Sequence, residues 1–165
     1  TGKNHEPLLT RSRSGMDGAI PSGNAVAAGA LLRLGVLTGE EAFRQKGVEL
    51  LQAFRAVMEK VPSGLARFLA ALDFYLDTPK EVAVAGPPGA EETRGLLREV
   101  HRRYLPNRVL ALLDPAESAE AVGKEIPLLA GKTQLNGRTT VYVCENYTCH
   151  APTHDLDQFV RLLEE

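Results

Sequence analysis

The hydrophobic pattern of the sequence changes near Pro79, and this change constrains the fold more than any other feature. Before Pro79, apolar residues recur three or four positions apart, as they do on the buried face of an α-helix. After Pro79, short apolar runs alternate with amphipathic segments, a pattern typical of buried strands with helices between them. We therefore predict a helical segment over residues 1–79 and a small α/β segment over residues 80–165. The sequence leaves open whether the two segments fold as one packed unit.

Three helices are predicted in the first segment. The first begins at Ser22 or Asn24, either of which can accept bonds from free backbone N–H groups, and it ends near Leu34. Its residues are apolar on nearly every face, so we expect the whole helix to be buried. The second helix ends at Pro62, and the third covers residues 64–76.

Three short apolar runs in the second segment predict strands, namely Val82–Ala85, Val109–Leu113 and Thr139–Val143. Helices are predicted at residues 90–104, 116–122 and 155–163. Strands that alternate with helices imply parallel pairing through right-handed crossovers. The predicted fold class is therefore α/β, with N-terminal α-helices and a small three-stranded, mainly parallel sheet flanked by helices.

A parallel arrangement would bring three turns together at the edge where the strands end. These turns contain Gly86-Pro87-Pro88, Asp114-Pro115 and Cys144-Glu145-Asn146. Open α/β sheets bind ligands at this edge, although an ordinary row of turns explains the same residues. The two prolines argue against a phosphate-binding loop after the first strand, because they remove the N–H donors that would hold an anion.

Composition argues against several kinds of partner. A formal net charge of -2, with no long basic run, speaks against nucleic acid. The longest strongly apolar stretch, Ala25 to Leu32, is far shorter than the roughly 20 residues that span a bilayer, so no membrane association is expected. The polar first residues do not resemble a secretory leader, and we predict a cytoplasmic protein. No cofactor is predicted.

A dense polar cluster directly precedes the first predicted helix. Asp17, Ser22 and Asn24 supply a carboxylate, a hydroxyl and an amide, and they are the candidate catalytic residues. Such a loop can direct Asp17 at a substrate, or Asp17 can accept bonds from backbone N–H groups of its own turn. The residue chemistry favours the second role, because no second carboxylate is identifiable as an acid/base partner.

A second cluster contains Cys144, Cys149, His150 and His154. All four are zinc-ligand types, but adjacent Cys149 and His150 cannot easily converge on one tetrahedral ion, and no metal site is predicted. The two cysteines could form a redox pair, closing a disulfide if the loop doubles back. Alternatively, Cys144 is a small core residue at a strand end and Cys149 packs the loop. The residues leave both roles open.

Three motifs carry a resemblance to a known family. They are Asp17–Asn24 (D-G-A-I-P-S-G-N), Tyr104–Val109 (Y-L-P-N-R-V) and Cys144–Pro152 (C-E-N-Y-T-C-H-A-P). In this order they resemble motifs of the YyaL-type proteins, a family of long thioredoxin-domain-containing proteins with a spermatogenesis-associated mammalian member. In that family a thioredoxin-like domain is followed by an (α/α) barrel of the six-hairpin glycosidase type. The resemblance covers only the C-terminal end of such proteins.

The resemblance implies that residues 1–79 are a remnant of that barrel. It implies a structural role, or completion of a carbohydrate-related barrel site with a sugar ligand. The alternative is a thiol-redox or metal-binding module that uses Cys144 and Cys149; the resemblance implies the redox-related role, and the metal-binding role comes from the residue types. Asp17, Ser22 and Asn24 also match family motifs, but the resemblance assigns no catalytic role to them, so it does not decide whether the chain is an enzyme.

The resemblance also predicts partners for the helical segment. Barrel helices normally pack against other barrel helices, and an apolar face without such neighbours marks a missing partner. We therefore expect residues 24–76 to contact the rest of the parent chain or a second copy, unless these helices pack onto the α/β segment instead.

Overall fold

The computed structural model describes residues 14–146 and 148–165, so residues 1–13 of the predicted helical segment and Tyr147 of the third motif lie outside the described residues. The described part contains α-helices α1 (Gly23–Thr38), α2 (Glu41–Lys60), α3 (Ala66–Leu76), α4 (Glu91–Arg102), α5 (Ala119–Glu125) and α6 (Leu156–Glu164). Its strands are β1 (Lys80–Ala85), β2 (Arg108–Leu113), β3 (Thr140–Glu145) and β4 (Thr148–Cys149).

Helix α1 begins where the sequence predicts and ends later. The Ser22 hydroxyl caps it by accepting a bond from the backbone N–H of Ala25 at 3.4 Å. The helix continues past Leu34 and ends before Gly39, whose φ of 68° is the left-handed conformation that glycine adopts without strain.

Helix α1 is buried on one face only, so the expectation that the whole helix is buried was wrong. Its buried residues are Ala25, Ala28, Gly29 and Leu32. Val26, Ala30 and Leu34 recur at every fourth position on another face, and all three are exposed. An apolar composition therefore made α1 look more enclosed than it is.

The sheet is mixed and has four strands in the order β2-β1-β3-β4. Strands β1 and β2 are parallel, whereas β3 runs antiparallel to β1, and β4 runs antiparallel to β3. The prediction of a three-stranded, mainly parallel sheet was therefore wrong in strand number and in the direction of β3.

The length of the connection between β2 and β3 does not determine the direction of β3, because residues 114–139 are enough for a crossover. Helix α5 within this connection has only 7 residues, so the connection lacks the long crossover helix that usually joins parallel strands. The chain instead enters β3 from the edge where β1 and β2 end.

This direction separates the turns that were expected to meet at one edge. Ala85 at the end of β1 is paired with Thr140 at the start of β3, and Cys144 near the end of β3 is paired with Glu81 near the start of β1. The Cys144 segment therefore lies at the opposite edge from Gly86 and Asp114, and the predicted common edge was wrong.

Both faces of the sheet are covered by helices. Helices α1–α3 pack on one face, and that core contains Leu32, Leu51, Phe68, Phe74, Ala83, Ala111 and Tyr142. Helices α4 and α6 pack on the other face, in a core with Val82, Val84, Leu96, Val100, Val141, Val143 and Phe159. The first core joins residues of both predicted segments, and a barrel remnant is not confirmed. Within the described residues, no helix is both long and apolar enough to cross a membrane.

Candidate functional site

Asp17 uses both carboxylate oxygens to hold its own loop. Oδ1 accepts a bond from the backbone N–H of Ser22 and Oδ2 accepts one from the backbone N–H of Arg67, each at 2.8 Å. These bonds, that from Arg67 first, lower the pKa of Asp17 below its ordinary value. The charged carboxylate therefore joins the start of α1 to the start of α3.

Ser22 and Asn24 serve the same loop. The Ser22 hydroxyl and the Asn24 side-chain amide both donate to the carbonyl oxygen of Ser14, each at 3.0 Å. An open cavity of about 490 Å³ beside the loop is lined by Ser14, Met16, Gly18 and residues 20–24, with no carboxylate among these described residues. The contacts favour an anchoring role for the three candidates, and a catalytic role stays a prediction.

The second motif joins the helices to the sheet, a role that the sequence did not reveal. The Asn107 side-chain amide donates to the carboxylates of Asp73 and Asp77, both at 2.8 Å. Arg33 of α1 donates to the carbonyl oxygen of Pro106 at 2.8 Å. The bond from Asn107 is the main cause of the lowered pKa of Asp77. The linking role of Asn107 depends on the spatial proximity of the end of α3 to the start of β2, which no local sequence pattern indicates.

The two cysteines form a disulfide across a hairpin. Cys144 of β3 and Cys149 of β4 face each other directly in the register, and their Cα atoms are 3.9 Å apart. The backbone N–H of His150 donates to the carbonyl oxygen of Val143 at 3.0 Å and fixes the two strands beside the bond. The hairpin includes a positive φ of 49° at Asn146, which asparagine tolerates better than most residues. The chain thus doubles back as disulfide formation requires.

The two sulfur-bearing residues differ in burial. Cys144 is 3% exposed and lies in β3, whereas Cys149 is exposed and lies in the edge strand β4. An external thiol has to approach a disulfide sulfur in line with the S–S bond, so access decides which sulfur is attacked. Only Cys149 of this pair lies on the protein surface.

A lysine contacts the exposed sulfur. Lys132 Nζ lies 3.4 Å from Cys149 Sγ and 4.9 Å from the centre of the Tyr142 ring. The Tyr142 hydroxyl donates to the carbonyl oxygen of Thr133 at 2.8 Å and accepts from its N–H at 3.2 Å. These bonds hold Tyr142 against the chain segment that carries Lys132.

A carboxylate lies on the buried side of the disulfide. Glu81 of β1 is the register partner of Cys144, so their side chains project from the same face of the sheet. Burial raises the pKa of Glu81, and the positive charge of Lys132 opposes that rise. No local sequence pattern indicates this grouping, because the grouping depends on the antiparallel direction of β3.

The two histidines of the cluster do not join the cysteines. His150 is exposed, and His154 lines a cavity of about 370 Å³ with Glu92 and Arg138. Within residues 14–146 and 148–165, no group of three or more His, Cys, Asp or Glu side chains is arranged to hold a metal ion.

The fold and the site together define a mixed α/β module with a disulfide between neighbouring strands. One of its two cysteines, Cys149, lies on an exposed edge strand. The chain is similar to spermatogenesis-associated protein 20 of Rattus norvegicus, with 37% identity over 158 residues, 96% of this chain and 20% of the relative. It is also 37% identical over 156 residues to spermatogenesis-associated protein 20 of Homo sapiens. An uncharacterized protein of Caenorhabditis elegans, B0495.5, is 22% identical over 164 residues.

The chain spans about a fifth of the length of these relatives. At 36–37% identity, the chain is similar to a region of proteins named spermatogenesis-associated protein 20, and these matches leave the thioredoxin-domain and YyaL-type description without support. No protein-family model matches the sequence, and no solved structure matches it.

Proposed function

We propose that the Cys144–Cys149 pair is a thiol–disulfide exchange site in the C-terminal region of a protein of the spermatogenesis-associated protein 20 family. One observation carries this proposal, namely that the disulfide joins a buried cysteine to a cysteine on an exposed edge strand. Exposed disulfides are more readily reduced than buried structural ones, and this favours an exchange role. The family resemblance adds that both cysteines belong to a shared motif.

The exchange reaction balances with a dithiol donor. A donor thiolate attacks Cys149 Sγ, the S–S bond breaks, and its electron pair goes to Cys144 Sγ, which takes up a proton. The second donor thiol, as a thiolate, then attacks the donor sulfur of the mixed disulfide and releases Cys149 as a thiolate, which takes up a proton. The cysteine pair gains two electrons and two protons, and the donor becomes a disulfide.

The hairpin favours reversible exchange. The backbone bond between His150 and Val143 is independent of the sulfur atoms and holds β4 against β3 on one side of the pair. We therefore expect the reduced cysteines to stay close together, so that oxidation needs little rearrangement.

The proposal is tested by equilibrating the folded protein with buffers of reduced and oxidised dithiothreitol or glutathione at neutral pH. Alkylation of free thiols and mass spectrometry then give the reduced fraction of the pair. We expect a reversible transition within the range that these buffers cover, with unchanged far-ultraviolet circular dichroism. A disulfide that resists reduction until the protein unfolds would overturn the proposal.

A second observation supports the structural role that the resemblance implies. Among the described residues, Val26, Ala30 and Leu34 form an exposed apolar stripe on α1. A groove of about 490 Å³ between α2 and α3 is lined by Leu51, Met58, Leu69, Leu72, Tyr75 and Val48 together with the polar residues Gln52, Arg55 and Glu59. Because the relatives are about five times longer than the matched region, we propose that residues 24–76 dock against the rest of the parent chain.

Amide hydrogen exchange tests this docking. The chain is measured alone and joined to the remainder of its parent protein. We expect slower exchange in α1 and α2 of the longer protein and an unchanged pattern in α4. Equal exchange in both proteins would contradict docking, and a concentration-dependent dimer of the chain alone would instead assign the surface to a second copy. Any sugar-binding role of the Asp17 loop remains a prediction that the contacts of Asp17 do not favour.

A further inference from the structure

The position of Lys132 makes the two sulfurs of the cysteine pair different, because Lys132 contacts Cys149. Lys132 Nζ is held between Cys149 Sγ at 3.4 Å and the Tyr142 ring at 4.9 Å, and Lys132 is itself half-buried. The ring face attracts the ammonium group, and Tyr142 is fixed by its two bonds to the Thr133 backbone. The cation is therefore placed beside the sulfur before any reduction takes place.

Reduction of the disulfide changes the electrostatic interaction between Lys132 and the sulfur of Cys149. In the disulfide, the sulfur is a weak acceptor, whereas the thiolate of reduced Cys149 carries a full negative charge at the same place. A nearby cation favours the thiolate over the thiol. On the other sulfur the surroundings act in the opposite direction, because Cys144 is buried and its register partner is the carboxylate Glu81.

Glu145 and His150 are further ionisable residues of the hairpin. Glu145 of β3 forms an ion pair with Lys80 at 3.2 Å. Lys80 also donates to the carbonyl oxygen of Leu162 in α6, so this ion pair lies on the face of the sheet opposite to the disulfide. His150 follows Cys149 in the chain and is exposed. Lys132, which contacts Cys149 Sγ, and Glu81, which is the register partner of Cys144, are charged residues on the face of the disulfide.

We propose that Lys132 stabilises the thiolate of Cys149 and so makes Cys149 the attacking sulfur of the reduced pair, an inference that rests on the proposed exchange function. The substrate class is a disulfide of a protein or of a small molecule. Cys149 attacks one substrate sulfur, the substrate S–S bond breaks, and the departing thiolate takes a proton from water. Cys144 then loses its proton and attacks Cys149 Sγ, which restores the intramolecular disulfide and releases the second substrate thiol. The substrate gains the two electrons that the cysteine pair loses.

The pH dependence of alkylation tests this assignment. The reduced, folded protein is treated with iodoacetamide across a range of pH values, and the rates at Cys149 and Cys144 are separated by peptide mass spectrometry. We expect Cys149 to react faster than Cys144 and with a lower pH midpoint. Lys132→Met should move the Cys149 midpoint upward by roughly 0.5–1 pH unit and slow its reaction at neutral pH roughly three- to tenfold.

Two variants control for structural damage. Lys132→Arg keeps the charge and should keep a midpoint near that of the wild type. Lys124→Met removes an exposed lysine of α5 that pairs with Glu120, and it should leave the midpoint unchanged. An unchanged midpoint in Lys132→Met, or a faster reaction at Cys144, would overturn the role of Lys132 while leaving the exchange function intact. A wild-type disulfide that cannot be reduced in the folded protein would overturn both proposals.

Discussion

The Asp17 loop and the cysteine hairpin are both dense clusters of reactive residues beside a regular element, but the fold uses them differently. Both Asp17 oxygens accept backbone N–H bonds, whereas Cys149 lies at the sheet edge beside a lysine. Backbone donors near a helix start must find acceptors, and a neighbouring carboxylate is a ready one. A candidate site is therefore identified by reactive atoms that stay accessible and are not already used in hydrogen bonds that hold the fold together.

Removing the exposed sulfur is the strongest way to separate the two clusters. Cys149→Ser should abolish thiol–disulfide exchange, because it removes the accessible sulfur and leaves Cys144, which is buried and has no cysteine to pair with. Asp17→Asn should leave the exchange rate unchanged, since its contacts serve the helical loop. Reduction of a small-molecule disulfide by the prereduced protein measures both variants. A normal rate in Cys149→Ser, or a strongly reduced rate in folded Asp17→Asn, would break the distinction between the clusters.

Reducing the disulfide should lower the stability of the protein moderately. The bond closes a short loop with a sequence separation of 5, and loop-closure entropy gives a contribution of about 2 kcal/mol. Urea unfolding of the oxidised and the fully reduced protein measures this difference. Equal stability in the two states would show that the backbone pairing of β3 and β4 is enough to stabilise this edge of the sheet. A loss of all structure would show that the disulfide is essential for folding.

Replacing Asp17 should have a smaller effect that depends on pH. Backbone bonds lower the pKa of Asp17 from its ordinary 3.8, so its carboxylate stabilises the folded state above pH 3.8. That stabilisation is lost as the pH falls through the lowered pKa. Asp17→Asn should therefore be less stable than the wild type at pH 7, and the difference should shrink below pH 3.8. Unfolding curves at several pH values measure it, and a constant difference would contradict the anchoring role.

The smallest expected effect concerns Glu81 beside the buried sulfur. Burial raises its pKa above 4.5, so its contribution to stability is fully present below pH 4.5 and is lost as the pH rises through the raised value. Glu81→Gln should be slightly more stable than the wild type at pH 8 and no more stable at pH 4. Glu120→Gln, in exposed α5, is the matched control and should show no such change. A destabilised Glu81→Gln at pH 8 would mean that the charged carboxylate is needed there.

The helices could be predicted from the sequence because apolar spacing reports burial directly. Amphipathic α6 and the Ser22 cap of α1 follow from local residues alone. The direction of β3 could not be predicted, since an apolar run such as Val141–Val143 is the same in either direction. The two-residue strand β4 is too short to produce a periodic pattern.

The candidate site was predictable only in part for the same reason. The proximity of Cys144 to Cys149 in sequence suggested that they could pair, and the chemistry of Asp17 favoured bonds to its own turn. The contact between Lys132 and Cys149 joins an irregular segment to a short edge strand, so no local pattern indicates it. The pairing of Glu81 with Cys144 likewise requires knowledge of the register between β1 and β3.

The denaturant dependence of disulfide reduction tests most directly whether the hairpin is an exchange site. The oxidised protein is mixed with reduced glutathione at neutral pH, and the mixed disulfide at Cys149 is followed by mass spectrometry at increasing urea concentrations below the unfolding transition. We expect the adduct to form in the native protein at a rate that hardly changes with urea. A rate that is negligible without urea and rises in proportion to the unfolded fraction would contradict this account and make the disulfide purely structural.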